Sequence, residues 1–137
     1  MPLVVCYYHV VWATKYRAPH ITADIEPIIF SAMRRKSEAL KSPIHAMNGV
    51  EDHIHVAVSL SAHLALAEWV RHVKGLSAHE VNLHFPNLET TFRWQSGYSA
   101  HTFGQNALPD VLAYIRNQKT HHANNNTITY LETLEDE

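Results

Sequence analysis

The chain of 137 residues holds a single cysteine, Cys6, so it cannot form an internal disulfide. A reducing compartment, the cytoplasm, is therefore expected. No apolar run approaches the length of a membrane span, and no basic-then-apolar leader opens the sequence, so neither insertion nor export is expected. Positive charge is not in surplus, since 11 Lys and Arg meet 13 Asp and Glu for a formal charge of -2. Proteins that grip phosphates usually carry a basic excess, so this balance argues mildly against a nucleic-acid partner. Two features soften the argument. The 12 histidines gain charge as pH falls below neutral, and Glu132, Glu135, Asp136 and Glu137 gather acidity in the tail. No repeat and no linker divides the chain. With 46% hydrophobic and 18% charged residues, it reads as one domain over residues 1–123 followed by a polar, acidic tail, 124–137.

Periodicity then gives the elements. Val4 to Ala13 is rich in β-branched and aromatic residues and predicts a buried strand. Thr22 is placed to cap a helix running to about Leu40, with Ile25, Ile28, Ile29, Ala32, Met33 and Leu40 as its apolar stripe. Ile44 to Val50 reads as a strand, a turn follows near Gly49 to Asp52, and His53 to Leu60 reads as a third strand. A second helix is expected from about Ala62 to Leu83, a short strand from Ser96 to Phe103, and a last helix from Leu108 to His121 with Pro109 in its first turn. The first six elements follow the βαββαβ order of an α+β, ferredoxin-like or RRM-like antiparallel sheet with helices on one face, plus a C-terminal helix. The third strand would be central in that sheet.

Two constellations carry chemistry. Alternate residues of a strand share a face, so His53 and His55 project together with Cα atoms about 6.5 Å apart, near enough for both imidazoles to hold one metal ion. In a chain this rich in histidine, an ordinary pair of packed side chains is an equal alternative. On the last helix, Tyr114 and Gln118 stand four residues apart and share a stripe, with His121 a further turn along. A tyrosine can be a covalent nucleophile and an amide oxygen a ligand for a hard cation. Taken alone, a packed tyrosine and a solvent-facing glutamine explain that spacing better.

Together, the two constellations resemble the HUH single-tyrosine transposases of small insertion sequences and their REP-associated relatives. The similarity extends along nearly the whole chain. Tyr8-His9-Val10-Val11-Trp12-Ala13-Thr14-Lys15-Tyr16-Arg17 is similar to the family's first strand and turn, and Glu51-Asp52-His53-Ile54-His55 to its HUH segment. Val73-Lys74-Gly75-Leu76-Ser77, Trp94-Gln95-Ser96-Gly97-Tyr98, and Tyr114-Ile115-Arg116-Asn117-Gln118 with His121-His122 follow in the family's order. The resemblance implies an enzyme that cuts and rejoins single-stranded DNA, with Tyr114 as nucleophile and a 5′-phosphotyrosine intermediate. It implies that His53, His55 and Gln118 hold Mg²⁺ or Mn²⁺, with no nucleotide cofactor. It further implies a homodimer acting on hairpin-bearing element ends, with Gly104 to Pro109 as the hinge before a tyrosine helix that can complete the partner's site. Arg17, Lys74, Arg116 and Lys119 are candidate DNA contacts, the last two favoured because they flank Tyr114 on its helix. His9 and the other remaining histidines receive no role.

Two other readings stay open. A non-catalytic, RRM-like module would stack single-stranded bases on aromatics of the central strands. A His-ligated metal hydrolase would need a third His, Asp or Glu ligand and a water-activating carboxylate, with Glu51 and Asp52 at hand.

Overall fold

In a computed structural model describing residues 3–123, both faces of the sheet are covered, which is why two of its strands read as nearly unbroken apolar runs. The expected tail lies outside the described residues. β1 (Tyr7–Ala13) is buried from His9 onward, and β3 (His53–Ser59) is buried from His53 to Val58. With β2 (Ile44–Gly49) and β4 (Ser99–Phe103) they form an antiparallel four-stranded sheet in the order β2-β3-β1-β4. β1 and β3 are thus central, as the ferredoxin-like pattern requires.

Alternation then divides the side chains. Val10 and Trp12 of β1, with Ile54, Val56 and Val58 of β3, join the main core beneath α1 (Glu26–Ala39) and α2 (Leu66–His84). Ile29 and Met33 of α1 meet Trp69, Val73 and Val81 of α2 in that core. Trp12 lies edge-on to both Trp69 and Trp94, each centroid 6.0 Å away. The polar edges of two indoles are satisfied inside: Trp69 Nε1 donates to Ser37 Oγ at 2.8 Å and Trp94 Nε1 to Ser77 Oγ at 2.9 Å. These bonds remove the cost of burying a bare N–H.

The opposite face is covered by the C-terminal helices. Ala46 and Ala57 are small enough to let Ile115 of α3 (Leu108–Arg116) settle on the sheet, flanked by Phe103, Val111 and Leu112. The expected last helix is broken: Asn117, at φ -99° and ψ 18°, ends α3 before a short α4 (Gln118–Ala123) begins. Other boundaries differ by a few residues. β1 starts at Tyr7 because Leu3, Val4 and Val5 find no cover and remain exposed. α1 starts at Glu26, not Thr22; Thr22 Oγ1 accepts from Ile25 N at 3.3 Å and caps a preceding turn. α2 starts at Leu66, after a turn closed by Leu64 N donating to Ser61 O, and β4 only at Ser99. Gly49 is required where β2 turns toward β3, since a Cβ there would lie 2.5 Å from the His53 carbonyl oxygen. The chain therefore reverses hard against the first histidine of the pair.

Candidate active site

The period-two argument holds: His53 and His55 share the face of β3 that looks toward α3, with ring centroids 5.2 Å apart. Both are buried, His53 at 2% exposure and His55 at 0%. Each has its Nδ1 engaged. His53 Nδ1 donates to Asp52 Oδ1 at 2.7 Å, and Asp52 Oδ2 lies 3.5 Å from Arg17 Nε. The bond from His53, with the Arg17 charge behind it, holds the Asp52 carboxyl below its ordinary range against the opposing effect of burial. Arg17, a candidate DNA contact, thus stands behind the first histidine as a brace.

His55 Nδ1 meets His9 Nε2 at 2.8 Å. His9 received no role from the sequence, yet it is 1% exposed and sits inside the cluster, its ring 5.1 Å from that of His55. One proton serves that contact. With His55 Nδ1 donating and neutral His9 accepting, His55 keeps its lone pair on Nε2, as His53 does beside Asp52. Imidazoles that bind a metal through one nitrogen and donate from the other show this pattern.

Tyr114, 7% exposed, lies over the histidines, its ring 6.0 Å from His55 and 6.3 Å from His9. On its other side the His121 ring stacks against it at 4.8 Å and 20°. His121 Nδ1 is buried without a hydrogen-bond partner among the described residues. Gln118 is fully buried, and its amide NH2 donates to the Tyr114 carbonyl at 3.4 Å, which makes Oε1 the amide atom suited to a cation. Gln118 is therefore not the solvent-facing side chain that its spacing taken alone suggested.

The same junction is pinned to the strands. Asn48 Nδ2 donates to the Arg116 carbonyl at 2.8 Å, while Lys119 Nζ donates to Asn48 Oδ1 at 2.7 Å and to Gly49 O at 3.0 Å. Asn48 and Gly49 are paired in register with His55 and Ile54. The start of α4 is therefore tied beside the histidine pair, and Lys119 is further engaged by Glu26 Oε2 at 2.9 Å. Lys74 is likewise occupied, donating to the carbonyls of Gln95 at 2.8 Å and Gly97 at 2.7 Å. Of the four candidate DNA contacts, Arg116 alone presents an exposed side chain with no such bond among the described residues.

The donor chemistry fits a divalent cation. Two neutral imidazoles and an amide oxygen add no negative charge, so the ion's charge would remain available to a phosphate.

Comparison with known proteins gives the family. A family model described as IS200-like transposase matches residues 3–118. The chain is 24% identical over 115 residues to the ISDra2 transposase TnpA of Deinococcus radiodurans, covering 81% of this chain and 82% of that protein. It is 26% identical over 117 residues to the transposase for insertion sequence element IS200 of Salmonella typhimurium, covering 82% of this chain and 76% of that one. Among solved structures, a candidate transposase from Deinococcus radiodurans R1 superposes with a TM-score of 0.70 at 22% identity, over 85% of this chain and 93% of that one. A REP-associated tyrosine transposase bound to a REP hairpin superposes with a TM-score of 0.65 at 12% identity, over 93% of this chain and 74% of that one. The family match spans nearly all of the described fold, strands, covering helices and histidine–tyrosine cluster together, and the chain belongs to the IS200-like transposases, enzymes that cleave and transfer DNA.

Proposed function

We propose that the protein cleaves and rejoins single-stranded DNA through a covalent link between Tyr114 and a 5′-phosphate. The observation that carries this reading is the placement of Tyr114 over a buried histidine pair within the same chain, 6.0 Å from His55 between centroids. Tyr114 Oη attacks the scissile phosphorus, the bond from phosphorus to the 3′-oxygen breaks, and the strand leaves with a 3′-hydroxyl. The phenol proton is lost and the departing oxygen gains one. A second 3′-hydroxyl then displaces the tyrosine, which recovers its proton, so bond energy is conserved and no nucleotide is consumed.

In this reading His53, His55 and Gln118 would hold Mg²⁺ or Mn²⁺, which when bound would supply Lewis-acid polarisation of the scissile phosphate. Asp52 and His9 hold the two imidazoles in the ligating tautomer, and Arg17 braces Asp52. Hairpin-bearing element ends remain the proposed substrates and a homodimer the proposed unit, because exchanging two strand ends takes two tyrosines.

The rivals fare worse on specific grounds. An RRM-like module needs exposed aromatics on the central strands, and α3 covers that face. A hydrolase needs a third His, Asp or Glu ligand beside His53 and His55, and among the described residues no three such side chains are placed to hold one metal ion.

The test uses labelled single-stranded oligonucleotides from the ends of the chain's own element. With Mg²⁺, a protein–DNA adduct should survive a denaturing gel, and chelator should remove it. Salt-sensitive binding with no adduct to any cognate end would contradict the proposal. A linked expectation concerns His9. His9→Leu should weaken Mn²⁺ binding about 10- to 100-fold in calorimetry, the usual cost of losing a partner behind a ligand. His9→Gln, whose amide oxygen reaches near the position of Nε2, should recover most of it. Equal binding by both variants and wild type would remove His9 from the account.

A further inference from the structure

We propose that Lys119 is a positioning residue for Gln118: braced by Asn48 and Glu26, it aims the third proposed ligand at the histidine pair and is not a DNA contact. This rests on the ligand set of the reading above. The need for a brace follows from the break in the last helix. His53 and His55 sit in a strand held by β2 on one side and β1 on the other, so their backbone is fixed whatever α4 does. Gln118 has no such support. It is the first residue of a helix of 6 residues, well short of the roughly 12–15 that a helix needs to persist alone in water. Regular α3 geometry ends one residue before it, at Asn117. An amide oxygen on a flexible side chain is a weak, neutral ligand, and a displacement of about 0.5 Å is enough to loosen such a site.

Lys119 supplies what α4 lacks. Its Nζ donates to Glu26 Oε2 of α1 at 2.9 Å, and to Asn48 Oδ1 and Gly49 O of β2 at 2.7 Å and 3.0 Å. One ammonium therefore ties α4 to two other elements. Asn48 works in both directions: its Nδ2 satisfies the Arg116 carbonyl at the end of α3, at 2.8 Å, while its Oδ1 receives Lys119. The node also stands beside every proposed ligand. Asn48 is in register with His55, Gly49 with Ile54 between the two histidines, and Lys119 follows Gln118 in the chain. A shift of the node thus shifts Gln118 against His53 and His55. The Lys119 side chain is 57% exposed, as a DNA contact would be, but exposure is not availability. An ammonium has three donors, and Glu26, Asn48 and Gly49 take them.

Mn²⁺ calorimetry and oligonucleotide anisotropy, both on the full chain, separate positioning from contact. Lys119→Met keeps the stem and removes the donors; it should weaken Mn²⁺ binding about 10-fold or more, the scale for a residue that acts behind a ligand. Asn48→Ala, at the other half of the node, should do the same. Lys119→Arg should recover most of the loss, because the groove of about 570 Å³ lined by Glu26, Val50 and Glu51 has room for a guanidinium. In chelator, Lys119→Met should bind labelled single-stranded oligo(dT) with the affinity and salt dependence of the wild type, and the two should melt alike. In a Gln118→Ala protein, already weakened for Mn²⁺, adding Lys119→Met should cost nothing further, since no ligand is left to aim. An equal further loss in that background, or unchanged Mn²⁺ binding in Lys119→Met, would overturn the positioning role. So would a fall of about 0.7 in the slope of log K against log salt concentration, the mark of a lost phosphate contact. Each of these leaves the strand-transfer reading standing. No Mn²⁺ binding by the wild type, or wild-type affinity in Gln118→Ala, would overturn the ligand assignment together with the positioning role.

Discussion

Tyr114→Phe should fold and melt like the wild type, yet form no covalent DNA adduct, with cleavage reduced by about 10⁴-fold or more, the scale of losing a catalytic nucleophile. The two expectations separate because the ring and the hydroxyl do different things. The ring, 7% exposed, packs against His121 and lies over His55 and His9, and phenylalanine keeps every one of those contacts. The hydroxyl alone can bond to phosphorus. A denaturing gel and a thermal melt on the same preparation read both. An adduct that persists in the variant would move the nucleophile to another residue. Loss of fold would mean that the hydroxyl is structural and would leave the chemistry of Tyr114 to be read from the site of linkage.

His55→Ala should be the most damaging change at the cluster. It removes a proposed ligand, so Mn²⁺ binding should fall by more than the roughly 10- to 100-fold expected for a residue behind a ligand. It also opens a cavity under α3 at a position with 0% exposure and takes away the partner of His9 Nε2. A cavity and a bereft buried polar group each cost about 1–3 kcal/mol, so a loss of roughly 2–6 kcal/mol is expected in urea unfolding. The face of β3 that carries the histidines is covered by α3, so the change is costly to the fold as well as to the site. Metal binding near the wild-type level in a folded His55→Ala protein would contradict the ligand assignment.

What the sequence reveals and conceals follows from which forces are local. Alternation placed His53 and His55 on one face and Ile54, Val56 and Val58 on the other, because a strand's period is a property of the backbone alone. The order of elements was enough for the sheet topology and for the central place of β3. His9 was invisible for a definite reason. It lies diagonally across from His55, which pairs with Val11, so its role depends on the register between β1 and β3. In a chain with 12 histidines, composition could not single it out. The covering of the second face by α3 depended on Ala46 and Ala57, whose smallness matters only once the helix is there. The left-handed backbone of Tyr16, at φ 58°, and Arg17, at φ 53°, has no glycine to announce it.

The charge argument shows a related limit. A net value of -2 is an average over the chain, while at the candidate site Arg17 is held against Asp52 and Lys119 against Glu26. Phosphate binding responds to the local field, which is set by where the fold places each charge.

The central claim is that Tyr114 itself becomes bonded to the DNA. Peptide mapping of the wild-type adduct by mass spectrometry tests it most directly. The account predicts a nucleotide remnant joined by a 5′-phosphate to the peptide that contains Tyr114 and to no other; a remnant on any other residue, or one joined through a 3′-phosphate, would contradict it.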